Sequence, residues 1–589
     1  MASHTTPRSD SALVFAGTLV IIFLLHATLL HLPYFWDEAG YYVPAARDLL
    51  LTGSLIPHTT VSNAHPPLIM AWLALWWKIV GYTPLVTRSA MLVVAAFALT
   101  GLFRLAELVA NREVAIAATL CTAFYPVFFA QSSLAQVDLA AAGLTFWGLS
   151  AYLKNRPVRV AVWFSLAALA KETAILAPVA LAGWEVLWAI GSKARFQNAG
   201  SLAVFEALRH PEANSPGGGS PKVLAKVARH IAPLIVPGVP LAIWYAYHYA
   251  RTGYVFGNPE FFRYNVAATL NPLRFVLALG LRLWQVAGYM HLWVLTIGML
   301  LAMLLPPVKE GGAERPRIAI PVQAAFLVVI VAYVVFMAAI GGAELARYML
   351  PAVPLVILMG VSTLWRRLRP WPFAIGVVAL AFIAAWFWNP PYGFSPEDNL
   401  AYRDFIVLHE DAERFLQTRY PNAHVLTAWP ATGELTSPWL GYVKRPMQVV
   451  QIEDFSLDEV LSAAEFRDHF DVALVFSTKY EPARPMLERW KWWMQVKRSF
   501  FGYHRDLPPE VAAQILDGKI VFREEHKGQW VAVVEMERNQ IQNAGKPDAC
   551  GGEDVIGYRV IKWHECVLMT SQTSLPGASS SESRAASVR

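Results

Sequence analysis

A few polar groups stand out in a chain that is otherwise strongly apolar. Asp37 and Glu38 follow directly on an apolar segment, in LPYFWDEAGYY, with Tyr34, Phe35, Trp36, Tyr41 and Tyr42 around them. His65 precedes two prolines, Asp138 follows SSLAQV, and Lys171-Glu172 sit inside LAALAKETAILAP. Further on come Arg263-Tyr264 and Arg347-Tyr348, the second pair within GGAELARYMLPAVP. Carboxylates of this kind can take a proton from a hydroxyl, and Lys and Arg can hold a phosphate. Brought to one depth, they would form a cavity floored by acids and rimmed by cations. Such a cavity suits an anionic head group whose tail stays in lipid. Ionisable residues at the ends of apolar segments are costly to place, which favours a functional reading.

Each residue also has a plain structural reading. Asp37-Glu38 can be acids solvated just outside a span. Asp138 can cap its helix. Lys171 can reach to the interface beside an exposed Glu172. Arg347 can pair with Glu344 across one turn. His65 can be a turn residue before Pro66-Pro67, and Trp72, Trp76 and Trp77 read as an interfacial anchor.

The elements that must position these groups are membrane spans. The 589-residue chain has 16% charged residues, where soluble proteins carry roughly a quarter, and its mean hydropathy is +0.38. The apolar residues lie in long runs, which defines a polytopic α-helical membrane protein. The net charge of +6 fits basic cytoplasmic loops. There is no long basic stripe for a duplex, so no nucleic-acid partner is expected. Candidate spans fall at about 12–32, 86–108, 114–130, 138–153, 158–172, 174–190, 231–249, 289–306, 319–340, 347–364 and 371–388, about eleven in all. The run 11–32 lacks a small-residue cleavage site and reads as an uncleaved first span. Two pieces are ambiguous: 67–80 is short for a span, and 274–287 is interrupted by Arg282 and Gln285.

Charge resolves the ambiguity. If 67–80 and 274–287 lie along the membrane surface, one side receives Arg8, Arg104, Arg112, Lys154, Arg156 and Arg159. The basic residues of 192–230, then Lys309, Arg315, Arg317, Arg366, Arg367 and Arg369, fall on that side too. Positive-inside then places the amino terminus in the cytoplasm and the C-terminal domain outside. Residues 33–85 become one long extracytoplasmic loop with surface helices, and 192–230 becomes a cytoplasmic linker. Residues 1–396 therefore form the membrane domain. From 397 to 540 the chain turns polar. Strand-like runs at 424–429, 448–452, 472–477, 519–523 and 530–535 alternate with helical stretches at 398–419, 457–466 and 508–516, so a soluble α/β domain is expected. The Ser/Ala-rich tail, 541–589, reads as largely disordered. Cys121 reads as core packing; Cys550 and Cys566 pair only if the tail faces an oxidising compartment.

The order of motifs resembles the GT-C glycosyltransferases. The nearest pattern is the glycosyltransferase family 39 group, with the protein O-mannosyltransferases and the lipid A aminoarabinose transferases. The features that carry the resemblance are Asp37-Glu38 after the first span, HPPL at His65–Leu68, the motif around Asp138, Lys171-Glu172, and RYMLPAVP from Arg347. They are spread over roughly residues 10–390, and their order is more specific than any one of them. The resemblance implies a GT-C fold and a bacterial cytoplasmic-membrane enzyme. Such an enzyme moves a sugar from a polyprenyl-phosphate carrier to an acceptor hydroxyl on a lipid, glycan or protein at the outer face, with inversion. It implies Asp37 as catalytic base, tuned by Glu38, with Asp138 supporting the acceptor or holding a divalent cation together with Asp37. His65, Lys171, Glu172, Arg263, Tyr264, Arg347 and Tyr348 would bind substrate. Members of this fold differ in metal dependence, so the metal stays open. His65 stands where aminoarabinose transferases carry a lysine, which sets this chain nearer the mannosyltransferases. The competing class is a transporter or flippase of lipid-linked sugars. It would place its acids at the bilayer midplane within discontinuous helices and inverted repeats.

Overall fold

The computed structural model describes residues 7–195, 230–257, 269, 271–340, 342–480, 482, 489–537, 553–555 and 558–562. Arg263, Tyr264, Cys550, Cys566 and most of the 192–230 linker lie outside the described residues. The chain divides into two compact units. The first comprises 1–407, 479–503 and 526–529, and the second comprises 408–478, 504–525 and 530–589. The change of unit therefore falls near 407, not at 397 as the composition shift suggested. Residues 397–407 belong with the helical part.

The first unit is helical. Helix α1 covers Pro7–Leu25, α2 Val43–Thr52, α3 Leu68–Val80, α4 Pro84–Val109 and α5 Arg112–Phe124. Helix α6 covers Pro126–Gln131, α7 Asp138–Leu153, α8 Pro157–Ala170, α9 Leu176–Arg195 and α10 Gly238–Thr252. Then come α11 Pro272–Ala287, α12 Leu292–Met303, α13 Ile320–Ala339, α14 Val353–Arg367 and α15 Trp371–Phe387. Among the described residues, four stretches are long and apolar enough to cross a membrane: Pro84–Val109, His230–Thr252, Pro272–Met303 and Ile320–Ala339. This is a polytopic helical membrane protein. The stretch 272–303 bears on the expectation that 274–287 lies along the surface. It joins the following span across a break at Tyr289–His291, where Met290 and His291 adopt left-handed backbone conformations. By length and composition the two pieces form one candidate span. A short hairpin, β1 Lys309–Glu310 with β2 Ala313–Glu314, lies between α12 and α13.

Close helix contact carries the bundle around α4, α7 and α8. At Gly143 on α7 a side-chain carbon would stand 2.6 Å from the Ala98 Cβ of α4. Only glycine permits that approach, which is how helices associate where lipid removes the hydrophobic drive. The segment between α1 and α4 is ordered from within. Asp48 of α2 accepts from the His58 amide at 2.6 Å, the Thr59 amide at 2.8 Å and the Thr59 hydroxyl at 3.0 Å. Trp244 of α10 donates to the Ala64 carbonyl at 2.9 Å, and Ser62 bonds His248 at 2.8 Å. Trp77 of α3 donates to Thr87 at 2.9 Å and is buried, so it packs α3 onto α4 besides any interfacial role.

The second unit is a seven-stranded mixed sheet with helices. Helix α16, Ala401–Arg419, leads into it, and α17 Ala431–Thr436, α18 Leu457–Ala464 and α19 Pro509–Leu516 lie within it. Its strands are β3 His424–Ala428, β4 Gln448–Ile452, β5 Val472–Phe476, β6 Gly518–His526, β7 Gln529–Met536, β8 Glu553–Val555 and β9 Tyr558–Lys562. Their order across the sheet is β6-β7-β5-β3-β4-β9-β8. The three middle strands, β5, β3 and β4, run parallel. Every residue of VALVF in β5 is buried, as expected for a strand covered on both faces. Within the tail expected to be largely disordered, β9 pairs parallel with β4 and β8 antiparallel with β9, and the rest of 541–589 lies outside the described residues. Cross-strand pairing supplies the order that the local sequence pattern does not show.

Candidate active site

The site grows from the turn after α1. Trp36 adopts φ 43°, a left-handed conformation unusual for a bulky residue. Edge contact with Phe405, at 5.7 Å between ring centroids, packs it in place. Asp37 then begins a single π-helical turn, Glu38–Tyr42. Both features are of the kind that cluster at functional sites.

Adjacent residues on a helical turn point about 100° apart, and Asp37 and Glu38 go to different places. Glu38 is fully buried. Its carboxylate accepts from the Phe35 amide at 2.8 Å and the Ala135 amide at 2.5 Å. It also pairs with Arg88 of α4 at 3.3 Å, both side chains being 0% exposed. Arg88 in turn donates to the Leu32, Pro33 and Ser133 carbonyls. Glu38 and Arg88 together clamp the turn to the segment before α7. Burial pushes the Glu38 carboxyl up; Arg88 and the two amides oppose that shift.

Asp37 faces Arg347, the centre of the second cluster. The Arg347 guanidinium donates through Nη2 to Asp37 and through Nη1 to Glu397. Nη1 also donates to Gln136 at 2.5 Å, and Nε faces Asp138 at 3.3 Å. Lys171, at the end of α8, donates to Asp138 at 2.5 Å and lies 3.9 Å from the centre of the Tyr348 ring. Gln136 closes the network by donating to Glu397 at 2.9 Å. Three carboxylates from distant parts of the chain thus share two cations. Asp37 is the one that reaches solvent: its side chain is 19% exposed, against 2% for Asp138 and 3% for Glu397. Burial raises the Glu397 carboxyl to about 7 against the pull of Arg347. Beside it, burial and then the Glu397 charge push Asp398 to about 8, while Tyr289 donates to it at 2.5 Å.

The remaining expected site residues fall as follows. His65 bonds Glu172 through Nδ1 at 2.8 Å, and its ring stacks on Tyr42 at 5.9 Å. Tyr42 lies within electrostatic reach of Arg347, Asp37 and Asp138. His65 also lines a small cleft with Tyr41, Ser62, Asn63 and Trp244. Lys171 is buried and engaged by Asp138, so it sits beneath the cluster and not at its rim. Asp138 occupies the first turn of α7 but caps nothing. Glu344 does not pair with Arg347; it binds Arg274 at 3.2 Å and Arg282 at 2.8 Å, both from α11. A cation shared by Asp37 and Asp138 does not fit this arrangement, because the Arg347 guanidinium occupies the place between them.

Sequence reasoning did not single out Glu397, Gln136 and Arg88. Arg88 carried a usable signal, a charge near the start of a 26-residue apolar helix whose other charged residues, Arg104 and Glu107, lie at its far end. Gln136 lies two residues before Asp138. Glu397 lies where the composition turns polar, and nothing local distinguishes it.

The chain is thus a membrane protein whose buried ionic site is assembled from the ends of several helices. It matches no family model and no curated protein. It is similar to the solved structure of ArnT from Cupriavidus metallidurans bound to undecaprenyl phosphate. That match has 12% identity and a TM-score of 0.47, and it covers 89% of this chain and 98% of that one. It is also similar to the Archaeoglobus fulgidus oligosaccharyltransferase in complex with zinc and sulfate, with 14% identity and a TM-score of 0.42, over 79% and 68% of the two chains. A third likeness is to the arabinofuranosyltransferase AftD from mycobacteria, with 14% identity and a TM-score of 0.38, over 92% and 42%. The likeness to GT-C glycosyltransferases expected from the sequence is found in these comparisons.

Proposed function

We propose that this protein is a membrane glycosyltransferase that takes a sugar from a polyprenyl-phosphate donor and passes it to an acceptor hydroxyl at the outer membrane face. The observation that carries the reading is the single outward-facing carboxylate, Asp37, on a guanidinium otherwise enclosed by Asp138, Glu397 and Gln136. The donor class is what the resemblance to the GT-C glycosyltransferases implies.

In the proposed step the acceptor oxygen forms a bond to the anomeric carbon on the face opposite the phosphate. The carbon–oxygen bond to phosphate breaks, and its electron pair goes to the phosphate. Asp37 takes the hydroxyl proton. Arg347, held in place by the two buried carboxylates, positions Asp37 against the attacking hydroxyl. Asp138 and Glu397, both buried, hold the guanidinium from the side away from solvent. The His65–Glu172 pair, in contact with Tyr42, would orient the sugar. Arg263 and Tyr264 remain expected contacts of the lipid-linked phosphate. The acids sit at helix ends and in turns, which favours chemistry at a membrane face over passage through the midplane.

The test is transfer by the purified full chain from a panel of radiolabelled polyprenyl-phosphate sugars, followed by identification of the labelled acceptor. Label appearing on an acceptor from one donor class supports the reading. No transfer from any donor, combined with movement of labelled donor across proteoliposomes, would replace it with the transporter reading.

A further inference from the structure

A second group of ionisable side chains lies in the sheet-containing unit and plays no part in the membrane site. His409 and Glu413 are four residues apart on α16, so they share one face of the helix. Glu434 comes from α17, just after β3. Their side chains are buried, at 1%, 0% and 0% exposure. One ligand atom from each lies within 4.8 Å of the others. His409 Nδ1 is 2.6 Å from Glu434 Oε2, and the ring stands edge-on to Phe476 at 4.5 Å, which fixes its plane.

The charge in this pocket is unbalanced. Both Glu413 oxygens and Glu434 Oε1 are buried, and the polar group that Glu413 meets is the Glu434 carboxyl itself. The charged groups that bear on Glu413 are Glu434 and Glu410, both acids. Two carboxylates taken out of water without a cation are expensive, and such groups are ordinarily paired, protonated or bound to metal.

We propose that His409, Glu413 and Glu434 form a binding site for a divalent metal ion of the zinc class. The donor set selects the ion: an imidazole nitrogen with two carboxylates suits zinc or manganese, whereas calcium and magnesium take oxygen shells. A tetrahedral ion with bonds of about 2.1 Å holds its donor atoms roughly 3.4 Å apart. The cluster is already near that size and needs side-chain adjustment only. The ion would tie α16 to the segment leaving the central strand β3, which makes it a structural element of this unit.

The full chain is stripped with a chelator, incubated with zinc, desalted and assayed for metal. Wild type is expected to retain about one zinc that Asp37→Asn also retains, and its unfolding temperature is expected to rise on adding zinc. Glu413→Gln is expected to bind at least about 100-fold more weakly, since even outer-shell changes cost 10- to 100-fold. Zinc-edge X-ray absorption on wild type needs no variant; it is expected to show a nitrogen/oxygen shell with one imidazole. Absence of metal uptake by stripped wild type overturns the proposal. So does a sulfur-containing shell, or unchanged affinity in a folded Glu413→Gln.

Discussion

Replacing Asp37 by Asn separates chemistry from architecture at the centre of the proposed site. The substitution keeps the shape and one acceptor oxygen but removes the charge and the basicity. Its structural cost is small because Arg347 keeps Asp138, Glu397 and Gln136 as partners. Asp37 is also the partly exposed member, so the amide put in its place keeps contact with water. Its cost to transfer is large. Loss of a general base lowers the rate about 10²- to 10⁴-fold, which is about 3–5 kcal/mol of barrier. Glu38→Gln is the contrast. It removes the buried carboxylate that pairs with Arg88, and breaking such a pair costs about 3–5 kcal/mol of stability. The assay is initial transfer rate from the active donor, with unfolding temperature measured on the same detergent-purified samples. Asp37→Asn is expected to unfold within a few degrees of wild type and to be nearly inactive. Glu38→Gln is expected to unfold much earlier. Transfer by Asp37→Asn within about threefold of wild type would refute the assignment of the base. A stable Glu38→Gln with selectively abolished transfer would move the chemistry to the neighbouring acid.

Arg347→Gln leaves three carboxylates facing one another without their shared cation, and it is expected to lose about 3–5 kcal/mol of stability; Arg347→Lys keeps the charge but not the fork, and thermal unfolding should rank it between the two. Asp398, at about 8, and Glu397, at about 7, hold their protons more tightly folded than unfolded. Stability is therefore fully present below about pH 4 and is lost as pH rises through 7 to 8, by up to about 1.4 kcal/mol per pH unit for each retained proton. Asp398→Asn should flatten that slope in unfolding temperatures taken from about pH 5 to about pH 8. The proposed topology is checked by single cysteines at Leu51 or Val61, exposed at 63% and 58%, in a chain whose own cysteines are replaced. A membrane-impermeant maleimide is expected to label both from outside, and protection of both would reverse the loop assignment.

The sequence made Asp37, Asp138, Lys171 and Arg347 legible because an ionisable group beside an apolar run is costly wherever it occurs, so its type and place carry information. Glu397 escaped because it follows Asn389-Pro390-Pro391, where acids are ordinary; only its contact with Arg347 gives it meaning. The plain structural reading of Arg347, a pair with Glu344, fails for a local reason. Residues 346–349 form a 3-10 turn that Glu344 precedes, and Arg274 and Arg282 of α11 reach that acid first. In the second unit, the central strands announced themselves as short apolar runs. β8 and β9 did not, because their place depends on β4 rather than on their own pattern. His409 and Glu413 could be read as one helix face, yet nothing in the sequence brings Glu434 to them.

The same reasoning bears on the adjacent acids. Adjacency suggested that Asp37 and Glu38 work together, but a helical turn separates their directions, and the partners then divide the labour. Glu38 is met by one buried arginine and two backbone amides, which satisfies it and leaves no room for a substrate. Asp37 is met by an arginine that two other carboxylates already hold, so its charge can be spent without the arginine losing its place. A base must change protonation during each turnover, and of these two acids only Asp37 can do so without opening the core.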